Sequence, residues 1–134
     1  VLYRVCLAKD TKISRQIMKV TIYHNPRCSK SRQTLQLLRD QSVDPVIVEY
    51  LKNPPDAQKI RELLKALNLG AADLLRTGES EYLELGLDGE DVTEEQRIRA
   101  MASHPRLIQR PIVVRGDRAR LGRPPEKVLE LFAE

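Results

Sequence analysis

Residues 20–50 hold the feature that most constrains the fold. Val20-Thr21-Ile22-Tyr23 is a β-branched and aromatic run of the kind that packs well on a pleated surface. His24-Asn25-Pro26 breaks it. Residues 29–39 then take helical spacing, with Leu35 and Leu38 on one stripe and Leu37 beside them. After Asp44-Pro45, residues 46–50 form a second strand-like run. Two strands around one helix predict a right-handed βαβ unit, the hand that twisted strands impose on a crossover.

The middle of the chain changes character. Asn53-Pro54-Pro55-Asp56 is a helix-entry signal with Asp56 as N-cap, after which Ile60, Leu63, Leu64 and Leu67 recur at helical spacing until Gly70. Residues 71–76 continue as a short helix. Residues 93–102 form another, with Gln96 completing a capping box on Thr93. Strand signals return at Ile112-Val113-Val114 and at residues 119–121, with Gly116-Asp117 as the turn of an antiparallel hairpin. Pro124-Pro125 opens a last helix whose Val128, Leu129 and Leu131 face inward. The order β-α-β, helices, β-β-α describes an α/β fold: a thioredoxin-like mixed sheet with a helical insertion between the βαβ half and the ββα half.

A chain of 134 residues suits one domain with a real core. Met18 directly precedes the first strand, so residues 1–17 read as an N-terminal extension and residues 18–134 as the domain. That division also decides what the net charge of +4 means. Arg4, Lys9, Lys12 and Arg15 against Asp10 put +3 of it in the extension, so the domain is nearly neutral. A nucleic-acid footprint needs clustered bases, and stacking surfaces for single strands need aromatics, which make up 4% of this chain. No apolar run has the length of a bilayer span or of a signal peptide, so a cytoplasmic protein with reduced thiols is expected.

Cys28 is the sharpest chemical feature. It lies between a strand and a helix in His24-Asn25-Pro26-Arg27-Cys28-Ser29-Lys30-Ser31-Arg32, where a thiolate meets the positive end of the helix dipole and unpaired amides. A free thiol of pKa about 8.5 is only a few per cent ionised at neutral pH, and lowering it by about two units makes most of it nucleophilic thiolate. A buried structural cysteine rarely has so many charged neighbours. Ser31 stands where a dithiol motif carries its second cysteine, and Cys6 in the extension is the only other thiol, so electrons are expected from an external thiol. Phosphatase-type chemistry needs an arginine six residues after the cysteine, and position 34 is Thr. An oxyanion must then be held by side chains from elsewhere. Arg76, Arg110 and Arg123 stand at loop ends suited to that, offering planar forks. Taken singly, each is by default a solvated surface charge.

The segment Val20-Thr-Ile-Tyr-His-Asn-Pro-Arg-Cys-Ser-Lys-Ser-Arg32 resembles the opening of the glutaredoxin-coupled arsenate reductases. So do Glu49-Tyr-Leu-Lys-Asn-Pro-Pro55, Leu74-Leu-Arg76, His104-Pro105, Arg110-Pro-Ile-Val-Val114 and Gly122-Arg-Pro-Pro125. The match runs from Met18 to the C-terminus. What it implies is Cys28 as nucleophile, Arg76, Arg110 and Arg123 as an oxyanion triad, and His24 as an aid to lowering the cysteine pKa. Ser31 and Arg32 match the family's helix start and would support the thiolate. Pro111 matches its cis-proline site. Read from the residues alone, His24 is equally a strand-end histidine bonded to backbone, and Ser31 and Arg32 an ordinary solvated first turn. His104 reads as a helix terminator, and no metal spacing is present. The resemblance further implies a protein with no bound cofactor that reduces arsenate with glutathione as co-substrate and glutaredoxin as partner; a monomer is expected, and composition and charge argue against nucleic-acid and membrane partners. Three other readings stay open: a glutathione-dependent thiol reductase with a different substrate, a non-enzymatic Spx-like regulator binding RNA polymerase, and a dithiol oxidoreductase using Cys6.

Overall fold

The computed structural model describes residues 19–133. The proposed extension at 1–17, with Cys6, lies outside the described residues. Strand β1 (Val20–His24) leads into helix α1 (Ser29–Asp40) and strand β2 (Val46–Glu49). The insertion follows as α2 (Ala57–Leu67), α3 (Ala71–Leu74), α4 (Ser80–Glu84) and α5 (Glu94–Ser103). A 3-10 turn (Pro105–Leu107), the hairpin β3 (Ile112–Arg115) and β4 (Arg118–Leu121), and a second 3-10 segment (Pro125–Phe132) complete the order. The sheet runs β2-β1-β3-β4, with β1 parallel to β2 and the other pairs antiparallel. This is the thioredoxin-like mixed sheet with a helical insertion that the element order predicts. No helix among the described residues is long and apolar enough to cross a membrane.

The period of two along the strands divides the core between the two faces of the sheet. Tyr23 and Ile112 face the insertion, packing with Ile60, Leu64, Leu74, Met101 and Leu107. Ile22 and Val113, one residue out of phase, face the other layer, where α1 brings Leu35 and Leu38 and the C-terminal segment brings Val128 and Leu131. Two helices start on side-chain caps. Asp56 accepts from the Lys59 amide at 2.8 Å, and Thr93 and Gln96 close the expected reciprocal box. His104 ends α5 in a non-helical conformation (φ −131, ψ 78) before Pro105.

Three local expectations are corrected. The last element is not an α-helix but a 3-10 segment, and Leu129, expected inward, is only half-buried. The buried positions are Pro125, Val128 and Leu131, a strict period of three that puts one residue per turn on the sheet. The short helix expected over 71–76 stops at Leu74, because Leu75 turns extended and bridges Ile108. Helix α4, five residues with none buried, has no apolar stripe to announce it.

Gly122 is a point of close approach between layers: an added Cβ would sit 2.7 Å from Pro111 Cγ and closer still to Thr34 Oγ1. Gly122→Ala is expected to cost about 1–3 kcal/mol in chemical denaturation, as overpacking does. Gly78→Ala, with nothing within 4 Å, should change stability by less than about 0.5 kcal/mol. Equal effects at the two sites would refute the close approach.

Candidate active site

The sheet register explains why residues far apart in sequence meet. Parallel pairing of His24 with Glu49 sets the ends of β1 and β2 side by side. Antiparallel pairing of Tyr23 with Ile112, and of Ile112 with Leu121, brings the start of β3 and the end of β4 to that same edge. Cys28, Tyr50, Arg110 and Arg123 all lie just outside these strand ends. Arg76 arrives by another route. The Leu75–Ile108 bridge is flanked by Arg76 N to Leu107 O at 2.7 Å and Gln109 N to Leu74 O at 2.9 Å, tying the insertion to the segment entering Arg110.

Cys28 is a free thiol, 9% exposed, at the N-cap of α1 in extended conformation (φ −93, ψ 122). Its amide donates to Asn25 O at 2.9 Å, closing the turn out of β1. No acidic side chain occupies the first turn of α1, so the helix's positive end is left for the sulfur. Burial pushes the thiol up. The amide of Ser31, the Arg110 guanidinium and the amide of Lys30 together outweigh it and hold Cys28 below the ordinary thiol range. Arg123 lies on the sulfur as well, with Nη2 4.0 Å from Cys28 Sγ and Nε donating to Arg110 O at 2.8 Å. Arg110–Pro111 is a cis peptide bond, and so is Arg123–Pro124, which the motifs do not signal.

The other expected site residues are arranged differently. His24 Nδ1 lies 2.6 Å from Ser31 Oγ, and the Asn25 amide donates to that same hydroxyl at 3.1 Å. Both side chains are buried. Burial lowers the His24 pKa, against Glu49, which raises it, so the imidazole is neutral at physiological pH. It shapes the loop under the cysteine through Ser31 and adds no charge. Arg32 is exposed and donates from Nη1 to Pro26 O at 2.9 Å, bracing the loop from outside. Arg76 is engaged by Glu79, Nη1 to Oε1 at 2.5 Å. The structure thus brings two of the three candidate arginines to the sulfur and gives the third a carboxylate partner.

Two residues at the site escaped the sequence reading. Tyr50, 1% exposed, feels the charges of both Arg110 and Cys28, and its Oη is buried without a hydrogen-bond partner, as is Arg110 Nε. Its position one residue past a strand parallel to β1 was the available signal. Glu79 is three residues beyond Arg76, an ion-pair spacing that only a turn makes meaningful.

The model of the ArsC family matches residues 23–131. The chain belongs to the ArsC family. Among its relatives is a protein of Escherichia coli K12, named as the uncharacterized protein YfgD, 52% identical over 84% of this chain and 96% of that protein. An arsenate reductase of Haemophilus influenzae is 42% identical over 86% of this chain and 100% of its own length. The solved arsenate reductase of Vibrio cholerae superposes with a TM-score of 0.82 at 46% identity, covering 84% of this chain and 97% of that one.

In this ArsC-family protein, two titrations follow from the geometry. Alkylation of Cys28, followed on its own peptide by mass spectrometry, should titrate below the free-thiol value of about 8.5, and Arg110→Ala should move the midpoint upward. An unmoved midpoint would separate Arg110 from the sulfur. For His24 the folded pKa is the lower one, so the unfolded chain takes the proton first as pH falls through about 6.5. Stability should decline below that pH and level off beneath the folded pKa. His24→Gln should flatten this part of the urea-stability profile, and an unchanged slope would contradict a buried neutral imidazole.

Proposed function

We propose that this protein reduces arsenate to arsenite in the cytoplasm, with Cys28 as nucleophile and glutathione and glutaredoxin as electron donors. The observation that carries this reading is a thiol held below its ordinary range with Arg110 and Arg123 against it, the Arg110 Nε–H still lacking an acceptor. A thiolate repels an oxyanion, and two guanidiniums on the same atom offset that repulsion.

The Cys28 thiolate attacks arsenic. A sulfur–arsenic bond forms as one arsenic–oxygen bond breaks, and the departing oxygen takes protons and leaves as water. Arginine N–H groups hold the remaining oxygens as charge gathers on them. Glutathione's thiol displaces a second oxygen, again as water. A glutaredoxin thiolate then attacks the glutathione sulfur, making a mixed disulfide, and the electron pair of the broken arsenic–sulfur bond stays on arsenic as As(III). Water releases arsenite from Cys28 and restores the thiol. Ser31 in place of a second cysteine fits this use of external thiols, since among the described residues Cys28 has no second thiol with which to close a disulfide.

The test is NADPH consumption coupled through glutathione reductase, glutathione and glutaredoxin, with arsenate added last. The parent protein should show arsenate-dependent turnover, Cys28→Ser none, and Arg110→Ala a kcat/KM lower by on the order of a hundredfold. Full turnover in the serine variant would overturn the mechanism. Turnover that needs no glutaredoxin would overturn the assigned donor.

A further inference from the structure

The arginine that the family resemblance assigns to the oxyanion, Arg76, already has an anion. Glu79 Oε1 takes Arg76 Nη1 at 2.5 Å, and its other oxygen takes Arg106 Nη2 at 3.2 Å. This is no loose surface pair. The Glu79 side chain is 15% exposed and that of Arg76 24%, against 65% for Arg106. The backbone builds the pairing into the fold: Glu79 N donates to Arg76 O at 3.3 Å, closing a tight turn, and Glu79 O accepts from Tyr82 N at 3.1 Å at the start of α4. The carboxylate's field reaches the sulfur's neighbourhood, because Tyr50 feels Glu79 together with Arg110 and Cys28.

We propose that Glu79 sets the oxyanion affinity of the site: by engaging Arg76 it weakens the non-covalent grip on tetrahedral oxyanions, so that phosphate in solution blocks Cys28 less of the time. This rests on the reading of Cys28 as an arsenate-reducing thiol. Guanidinium forks sense charge and tetrahedral shape, and arsenate and phosphate share both, so a freely available set of arginines would bind them alike. Binding that two ligands share equally confers no selectivity. What separates them is the sulfur–arsenic bond, formed as an arsenic–oxygen bond breaks and the oxygen departs as water. Glu79 subtracts from the shared part for both ligands, so it lowers the occupancy of each and leaves the covalent part, which separates them, intact. Both ligands then have to displace a carboxylate; phosphate at a given concentration blocks the sulfur less, and arsenate, once docked, still goes on to the sulfur–arsenic bond.

The probe is inorganic phosphate, read as protection of Cys28 from iodoacetamide on its own peptide, at fixed ionic strength so that screening is constant. Glu79→Gln keeps the shape and removes the charge, and should lower the half-protecting phosphate concentration by about fivefold, the order expected for one partly screened charge a side chain's length away. Glu79→Ala should shift it the same way. Glu81→Gln is the charge control. Glu81 lies 3.9 Å from Arg106 and is not paired with Arg76, and its loss should leave protection unchanged. In the coupled assay Glu79→Gln should be more strongly inhibited by phosphate without a higher kcat for arsenate. Unchanged or weaker phosphate protection in the Glu79 variants would overturn the proposal and make the carboxylate a support for Arg76. Absence of protection in the parent and the variants alike would overturn it too. A fivefold gain with no arsenate turnover in any protein, including the parent, would uphold the role in anion binding and reject the proposed reaction.

Discussion

An ionised sulfur at the start of a helix is costly to keep out of water, and the rest of the site answers that cost. Cys28 is nearly buried, and burial is the largest influence on its protonation, acting against the thiolate. The first amides of α1 face the sulfur because β1 ends at His24 and the chain needs only Asn25-Pro26-Arg27 to reach the helix N-cap. These amides contribute alongside Arg110, which stands outside β3 on the far side of the sheet's central pairing. A chemical property at residue 28 therefore depends on the register between β1 and β3. Slip β3 by one residue against β1 and Ile112 exchanges faces with Val113, carrying Arg110 away from the sulfur.

The polar groups beneath the cysteine follow the same economy of charge. A protonated His24 would add a cation near the sulfur but would have to be solvated inside the fold. The structure keeps it neutral, bonded to a Ser31 hydroxyl that also receives the Asn25 amide. Positive charge instead comes from arginines, which stay charged when partly buried and present directional donors. The histidine fixes the shape of the loop, and the guanidiniums set its potential.

Much of this could be read from sequence, for identifiable reasons. The βαβ opening and the hairpin are carried by strong periodicity and by turn residues such as Gly116-Asp117, so both emerged near their true bounds. Cys28 stood out because its neighbours are polar and its place lies between a strand and a helix. The C-terminal element failed because eight residues do not separate a period of 3 from one of 3.6 when Val128 and Leu131 satisfy both. Glu79 failed for another reason: whether a carboxylate three residues from an arginine pairs with it depends on the turn between them, which no local pattern specifies. Tyr50 was visible as a residue but not as a neighbour of Arg110, since that proximity exists only once β2 and β3 both pair with β1.

On the proposed reaction, the same charges that admit the substrate also govern its departure. Arsenate is an anion, and the arginines hold it. Arsenous acid is uncharged at neutral pH, so the guanidiniums have little hold on it once the sulfur–arsenic bond is hydrolysed. Release therefore needs no separate device. A cationic pocket that empties itself of product nevertheless stays open to any other tetrahedral anion in solution, and the more unopposed arginine it exposes, the more of its time it spends blocked. A carboxylate set among the arginines, as Glu79 is between Arg76 and Arg106, lowers that occupancy without touching the sulfur. The acidic residue and the basic ones then serve one requirement: the site should bind strongly only what it can bond.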